Sequence, residues 1–465
     1  MPEPTVRLTR TQIERWHGAR RQPLADQISP VYLVPTPVDP DLLAHALADV
    51  ARRHTPLRTR IVAGPDGRPR ATRRDVPTRY PLTVHDLRAL PADEREAVCR
   101  RTAGDEAADP LDLGTGRPLR ATLLTLAEDR HLLLLSLSHV TADGWSCGVL
   151  VREVQARYRA LRDDPTAPEG PAATDWERYV AQCAEDETAG RPARDLPWWR
   201  THLAGAVPPL PLAPPAAGTE DLTAGTVGFE LPAATGEKLR RCAAARHTTV
   251  YAVTLAAFAA ALAQPTGAEE AVTTVPYAGR DELEHESLVG LFTTRLALRL
   301  PLAHDAPFTA AVDAVNEALL DALDHSPTPF PLIEQSLAAD GVPPLGQVTV
   351  QVYPRSLCDA PATATDDLAC HLLGFRTLAL HRSLGLFLTE PDSGPVIGAL
   401  CHRLATVPAE TATDLVLRFT ALLDAALSSP DRPLRSLLPR TTPTDRSVLR
   451  TDTPWETAVR HRAPS

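Results

Sequence analysis

Hydrophobic and polar positions along this chain follow two periods, one typical of helices and one typical of strands. The helical period predicts helices at 42–53, 94–107, 146–161, 237–246, 250–262, 310–323 and 409–427. The strand pattern predicts two hairpins, 57–64 with 69–75 and 120–126 with 131–138, and further strands at 271–276, 293–300, 346–352, 382–388 and 395–402. Because residues 131–138 form a nearly continuous apolar run, we expect that strand to be buried on both faces. The mixture predicts an α/β (α+β) fold.

The distribution of proline indicates two lobes and a tail. Segment 165–175 (PTAPEGPAATD) follows a predicted helix and is typical of a linker. We therefore place an N-terminal lobe at 1–170, a C-terminal lobe at 171–440 and a polar tail or linker remnant at 441–465. A chain of 465 residues is long enough to give both lobes a sizeable core.

Composition excludes several classes of function. A net charge of −10 argues against a nucleic-acid partner. No apolar run reaches the roughly 18 residues of a membrane span, and the N-terminus lacks the apolar core of a signal peptide, which predicts a cytoplasmic protein without a membrane partner. No CxxC, HExxH, GxxxxGK[ST] or strand-linked GxGxxG motif occurs, so we expect no metal site and no cofactor bound by the chain itself.

The end of the predicted strand at 131–138 carries the main candidate for catalysis. His139 follows Ser138 directly, and a loop through Asp143 and Gly144 leads into the next predicted helix. A rigid strand orients a side chain at its end, and imidazole transfers protons readily near neutral pH. From residue types alone, a hydrogen-bonded structural histidine is the alternative interpretation. We expect Asp143 to anchor the loop through an arginine rather than to act as an acid.

The same loop contains a rival motif. Residues 144–148 (GWSCG) match the GxSxG elbow of serine hydrolases, with Ser146 as nucleophile and Asp366 and His371 available as partners. An elbow places the serine directly at the strand end, whereas residues 140–143 intervene here. We therefore favour Ser146 as the N-cap of the helix and keep the serine hydrolase as an alternative.

Residues 139–144 (HVTADG) resemble the HxxxDG core of the condensation domains of nonribosomal peptide synthetases. Other segments similar to that family's motifs follow in the family's order: 11–16 (TQIERW), 53–59 (RHTPLRT), 112–120 (DLGTGRPLR), 199–205 (WRTHLAG), 276–280 (PYAGR), 289–292 (VGLF), 325–330 (HSPTPF) and 347–348 (QV). Because the order is collinear from about residue 8 to 440, the chain is identified as a member of this family.

The resemblance implies a fold and a site. It implies two pseudo-symmetric lobes like those of chloramphenicol acetyltransferase, forming a V with the active site in a tunnel between them. His139 is then the catalytic residue. The residues implied to build the active-site loop are Ser138, Asp143, Gly144 and Arg280, with Arg280 as the partner of Asp143. The residues implied to line the substrate tunnel are Trp145, Ser146, Thr293, Thr294 and Arg295.

The resemblance also implies a reaction. An amine or hydroxyl acceptor attacks a thioester and forms an amide or ester, as in natural-product biosynthesis. The thioester is already activated, so the protein needs no nucleophile of its own. No GGxS carrier site and no adenylation segment occurs in the sequence. The donor is therefore expected on the phosphopantetheine of a separate acyl or peptidyl carrier protein, and the acceptor is either a small molecule or carrier-bound.

Some features depart from the family's pattern or leave alternatives open. Ser138 stands where the family usually has a first histidine, which is generally not the base, and residues 293–295 read TTR in place of VNT. Residues 444–449 resemble the linker that follows such domains in large synthetases, so both a free-standing enzyme and an excised piece are possible. Because the sequence begins at Met1 and ends shortly past this segment, we expect the free-standing enzyme. A catalytically silent docking platform is a further alternative, but it would require a degraded core, whereas His139, Asp143 and Gly144 are all present.

Overall fold

The computed structural model describes residues 4–170, 173, 175–207, 221–354, 359–361, 368–390 and 394–450. Its helices are α1 (Arg10–Arg21), α2 (Pro40–Arg53), α3 (Ala92–Ala108), α4 (Gly144–Asp163), α5 (Asp175–Thr188), α6 (Leu196–His202), α7 (Ala233–Ala245), α8 (Val250–Ala263), α9 (Phe308–Asp324), α10 (Phe330–Ala339), α11 (Ala409–Ser428) and α12 (Leu434–Leu437). Its strands are β1 (Thr5–Val6), β2 (Gln27–Ile28), β3 (Pro30–Val34), β4 (Thr59–Ala63), β5 (Pro69–Arg73), β6 (Leu82–Asp86), β7 (Leu119–Ala127), β8 (Arg130–Ser138), β9 (Ala224–Leu231), β10 (Glu270–Tyr277), β11 (Thr294–Pro301), β12 (Val348–Pro354), β13 (His371–Phe375), β14 (Leu384–Glu390), β15 (Val396–Arg403) and β16 (Leu449–Arg450). Every helix and strand predicted from periodicity is confirmed, with small shifts at the ends.

A mixed sheet forms the centre of the N-terminal lobe, with the strand order β13-β3-β8-β7-β6 and with β2 also paired to β8. Residues 131–138 of β8 are all buried, as the apolar run predicted. Leu133 and Leu135 belong to the core that α2 and α4 form on one face, whereas Leu132 and Leu134 pack with α3 on the other. Helices cover both faces of β8, which explains why so few of its positions are polar.

A second mixed sheet forms the centre of the C-terminal lobe, with the strand order β11-β10-β12-β14-β15-β9-β16. Helix α8 lies in its core, and the residues from Ala252 to Ala263 are all buried. Many of them are alanines, whose small side chains let neighbouring elements approach closely. Within the described residues, no single helix is long and apolar enough to cross a membrane, and one bent pair, α7 with 250–266, meets the length and composition criteria only together.

Two strands pair with a sheet outside the region to which we assigned their residues from the proline-rich segments. Strand β13 lies within 171–440 in sequence, yet it pairs with β3 in the N-terminal sheet, with His371 opposite Leu33. Strand β16 lies beyond residue 440, yet it pairs with β9, with Leu449 opposite Phe229. Part of the expected tail therefore belongs to the C-terminal sheet. Backbone pairing at a sheet edge requires no apolar pattern, so hydropathy does not reveal such strands.

Helix α1 is the unpredicted element that matters most for the site. It buries only Gln12 and Trp16, too few apolar positions for a clear helical period. A capping box starts it, because Thr9 Oγ1 accepts from Gln12 N at 3.2 Å and Thr9 N donates to Gln12 Oε1 at 3.1 Å. Gln12 Nε2 also donates to Val140 O at 2.9 Å, which ties α1 to the loop after β8.

Candidate functional site

A cavity of about 520 Å³ lies where the two lobes meet. The N-terminal lobe lines it with α1, with residues around β2 and with the loop that carries His139. The C-terminal lobe lines it with residues of β11, β12, β14 and β15. Of the residues proposed for the tunnel, Trp145, Thr293, Thr294 and Arg295 line this cavity. The fifth, Ser146, is fully buried and does not line it, so that prediction is corrected.

His139 lies at the end of β8, as predicted, and its ring orientation is set by one hydrogen bond. Its Nδ1 is 2.9 Å from the carbonyl oxygen of Ala142. A carbonyl oxygen only accepts, so Nδ1 carries the proton of the neutral ring and Nε2 holds the lone pair. The backbone N–H of His139 also donates to Asp26 O at 2.9 Å, which holds this end of the loop against the segment before β2.

The surroundings of His139 favour its neutral form. Burial holds the pKa of the imidazole well below its ordinary value of 6.5, and the positive charges of Arg15 and Arg382 lower it further. Hydrogen bonds with the backbone, including the one to Ala142, act in the opposite direction. At neutral pH the ring is therefore an unprotonated base with a free lone pair on Nε2.

Asp143 caps the helix that follows the loop. Its Oδ1 accepts from Ser146 N at 2.9 Å, and Ser146 Oγ accepts from Asp143 N at 3.3 Å, so the two residues form a capping box. Helix α4 accordingly begins at Gly144 with Asp143 as its N-cap. Our expectation that Ser146 is the N-cap is wrong, because Ser146 is the third residue inside the helix.

Asp143 also connects the two lobes. Its side chain is fully buried, and Oδ1 lies 3.1 Å from Nη2 of Arg280, whose side chain is 1% exposed. Its Oδ2 accepts from Phe292 N at 3.1 Å and from Thr293 N and Oγ1 at 3.2 and 3.1 Å. One carboxylate thus caps a helix of the N-terminal lobe and holds a loop of the C-terminal lobe.

Arg280 is held in place by more than its ion pair. Its Nη1 donates to the backbone oxygens of His285 and Leu288, and its guanidinium lies 4.1 Å from the ring centre of Phe292. Burial lowers the pKa of Arg280, and the charge of Asp143 acts in the opposite direction. The arginine named by its place in the PYAGR segment is therefore the one that contacts Asp143 in the structure.

The geometry of Ser146 does not fit a serine hydrolase. Its Oγ lies 2.7 Å from Asp143 Oδ1 and 2.9 Å from Gly290 O, and it accepts from Gly290 N at 3.1 Å. No histidine of the described residues bonds to it. His371 instead lies 3.2 Å from Asp359, and Asp366 lies outside the described residues.

The remaining loop residues fill structural positions. Ser138 is buried, and its Oγ accepts from Val140 N at 3.3 Å. Gly144 lies against Tyr353, since an added Cβ would come within 3.4 Å of that ring. The cavity residues missed as site residues include Arg15 and Arg382. Arg15 lies in the segment 11–16 that carries part of the family resemblance, whereas no motif marks Arg382.

The comparisons with known proteins agree with this architecture. The family model named Condensation domain matches residues 27–373. The chain is 34% identical over 418 residues to phosphinothricin tripeptide synthetase PhsB of Streptomyces viridochromogenes, covering 89% of this chain and 35% of that protein. It is 29% identical over 433 residues to the isonitrile lipopeptide synthase of Mycobacterium tuberculosis, covering 86% of this chain and 16% of that protein. The chain thus spans about a third or less of these curated relatives.

Solved structures share the fold. The first condensation domain of the calcium-dependent antibiotic synthetase, in complex with a substrate analogue, superposes with a TM-score of 0.81 at 23% identity, covering 92% of this chain and 98% of that one. The X-domain from teicoplanin biosynthesis superposes with a TM-score of 0.76 at 24% identity, covering 94% and 98%. A two-lobed α/β fold is thus the class to which this structure belongs. The chain belongs to the condensation domain family.

Proposed function

We propose that this chain forms an amide or ester bond by direct attack of an amine or hydroxyl acceptor on an acyl or aminoacyl thioester carried by a separate carrier protein. The observation that supports this most is His139, a neutral imidazole oriented by Ala142 O at a cavity lined by both lobes. Membership of the condensation family indicates a condensation role in nonribosomal peptide biosynthesis. The donor, the acceptor and the carrier belong to the proposal.

In the proposed reaction the acceptor nitrogen or oxygen attacks the thioester carbonyl carbon. A C–N or C–O bond forms and the C–S bond breaks. Nε2 of His139 accepts the proton that the acceptor loses and returns it to the departing sulfur, so the products are the amide or ester and a free thiol. Holding both reactants in a near-attack geometry can supply roughly 7–11 kcal/mol of the barrier, so no covalent intermediate on the protein is needed.

The chain's own residues hold this geometry. Asp143 and Arg280 join the loop of His139 to the opposite lobe, so the loop is held against that lobe by buried polar contacts. We assign both as positioning residues, because the carboxylate and the guanidinium are buried and bonded to protein groups. The proposal includes no metal and no cofactor bound by the chain, and the phosphopantetheine belongs to the carrier protein as part of the substrate.

The carrier is tested by presenting one acyl group in three forms: on a holo carrier protein, on free coenzyme A and on a short thiol mimic. We expect the rate of product formation at a given donor concentration to be highest with the carrier, because a weak protein–protein contact raises the local concentration of the thioester. Product formation under single-turnover conditions is the measurement. If coenzyme A thioester works as well as the best carrier over a range of concentrations, the chain is instead a small-molecule acyltransferase.

The two alternatives have separate tests. A catalytically silent docking platform yields no product in any of the three forms and binds a protein partner instead. A serine hydrolase becomes labelled by a fluorophosphonate, and Ser146→Ala then loses the label. We expect no labelling, because Ser146 Oγ is buried and bonded to Asp143 and Gly290.

The pH dependence of the reaction follows from the lowered pKa of His139. Because the ring stays neutral in the folded protein below its ordinary pKa of 6.5, kcat/KM is expected to stay constant as the pH falls through 6.5. The acid limb should then appear well below that value. The profile is measured by initial rates with a donor whose own ionisation lies outside this range.

Arg15 provides the control for the pH profile. Its charge contributes to the low pKa of His139, so Arg15→Gln is expected to move the acid limb toward higher pH, whereas Arg15→Lys should leave it in place. Arg15 also pairs with the buried Asp26 at 2.7 Å, so the melting temperature of each variant is recorded. An acid limb near pH 6.5 in the wild type would contradict the assignment of His139 as a neutral base.

A further inference from the structure

The cavity beside His139 contains more positive charge than the protein neutralises. Five arginines line it: Arg15, Arg295, Arg376, Arg382 and Arg450. Two acidic residues also line it, Glu14 and Asp26, and each already has a partner of its own. Glu14 lies 2.8 Å from Arg10, and Asp26 lies 2.7 Å from Arg15. The cationic character of the cavity is therefore not balanced by its own carboxylates.

Three of the five arginines have protein partners. Arg15 pairs with Asp26, and Arg450 pairs with Glu230. Arg376 donates to Ala103 O at 2.6 Å and to Leu135 O at 3.2 Å, which ties it to the N-terminal lobe. These three guanidinium groups have structural roles that account for their presence.

Arg295 and Arg382 lack such partners. Among the described residues, no carboxylate lies within 4.0 Å of either guanidinium, and the buried Nε of Arg382 has no hydrogen-bond acceptor. The charge of Glu334 favours the cationic form of Arg295, but the two side chains lie more than 4.0 Å apart and do not form an ion pair. Arg295 stacks over the Phe330 ring at 4.5 Å, a contact that orients the guanidinium without neutralising it.

The two arginines and Arg15 repel one another. Burial, followed by the charges of Arg295 and Arg15, lowers the pKa of Arg382 to about 9, so the group is still charged at neutral pH. The same three arginines, after burial, lower the pKa of His381, another cavity residue, to about 4. Two unpaired cations held together at a cavity wall cost free energy unless an anion joins them.

We propose that Arg295 and Arg382 form a subsite for an anionic group, a carboxylate or a phosphorus oxyanion, on the acyl group or the acceptor that reacts at His139, rather than on the phosphopantetheine arm. The inference rests on the proposed function and names the chemical class of one of its substrates. Guanidinium groups match the planar or tetrahedral oxygens of such anions through paired hydrogen bonds. The anion would replace the missing carboxylate partners and fix one end of the substrate relative to Nε2 of His139.

The test measures binding rather than turnover, so it does not depend on a carrier or on the identity of the second substrate. The probes are N-acetylcysteamine thioesters of succinic, glutaric and adipic acid, each compared with its terminal amide. The acid and the amide have nearly the same shape and differ in charge. Dissociation constants are measured by titration calorimetry with the full chain.

We expect the acid of at least one chain length to bind about tenfold or more tightly than its amide, the range of a charged, desolvated hydrogen-bonded pair. Arg382→Gln and Arg295→Gln should each reduce this preference several-fold, and Arg382→Lys should retain part of it. The matched control is Arg194→Gln, an exposed arginine that pairs with its neighbour Asp195. That variant should leave the preference unchanged.

Three results would overturn the inference. One is equal binding of acid and amide at all three lengths in the wild type. A second is a preference that survives both glutamine substitutions in variants that melt like the wild type. The coenzyme A thioesters of the same acids serve as a further set of probes. A third overturning result is a loss of affinity in those variants that occurs only with these coenzyme A thioesters, which would assign the subsite to the phosphates of the arm. If coenzyme A thioester works as well as the carrier while the acid still binds more tightly than the amide, the proposed function is wrong and the subsite is retained.

Discussion

Replacing Asp143 by alanine is expected to reduce the free energy of unfolding by about 3–5 kcal/mol, the usual loss when one partner of a buried ion pair is removed. The substitution leaves the Arg280 guanidinium buried without its carboxylate. It also removes the acceptor for the backbone N–H groups of Phe292 and Thr293 and the cap of α4. Chemical denaturation of the purified variant measures the change, and turnover should fall with it.

The matched control is Asp86→Ala. Asp86 also pairs with an arginine, Arg88, but both side chains are more than half exposed. Solvent screens such a pair, so the variant should unfold at nearly the same denaturant concentration as the wild type. If Asp143→Ala melts like the wild type but loses all activity, Asp143 is a catalytic residue and the positioning role is wrong.

Replacing His139 by alanine is expected to reduce turnover by about 10²–10⁴, the usual contribution of a general acid–base group. No other imidazole among the described residues lining the cavity is bonded in the same way, since His381 has no such carbonyl contact. The fold should be retained, because the ring bonds to one local carbonyl and its loop is held by Gln12 and Asp143. Single-turnover rates with a cognate carrier-bound donor measure the effect.

His304→Ala is the control for this substitution. His304 also makes one ring contact with a backbone carbonyl, Ala268 O at 3.0 Å, but it lies outside the cavity. Its removal should change stability slightly and turnover little. Near-normal turnover of His139→Ala with a cognate donor would refute the assignment of His139 as the base.

The sequence alone predicted the elements that depend on local pattern. Helices α4, α8, α9 and α11 and strands β7, β8, β10 and β15 were all expected, because each buries a face or a run whose apolar residues have a regular spacing. Helix α1 was missed, since a capping box and two buried side chains form it rather than an apolar stripe. Strands β13 and β16 were not predicted, and their residues were assigned to the C-terminal lobe and the tail, because edge pairing depends on backbone groups that no side-chain pattern reports.

The residues of the candidate site also divide into those that the sequence predicted and those whose roles only the structure revealed. Sequence reasoning determined His139 at a strand end and Asp143 as an anchor of its loop, because both lie in one short segment next to a buried strand. Only the tertiary structure decided that Asp143 caps α4, that Ser146 is buried, and that Arg15 and Arg382 act on His139. Arg15 and Arg382 each lie more than a hundred residues from His139 in the sequence, and only the folding of the chain brings them to the same cavity. Local periodicity carries no information about contacts between such distant segments, so the charge around His139 is a property of the folded chain.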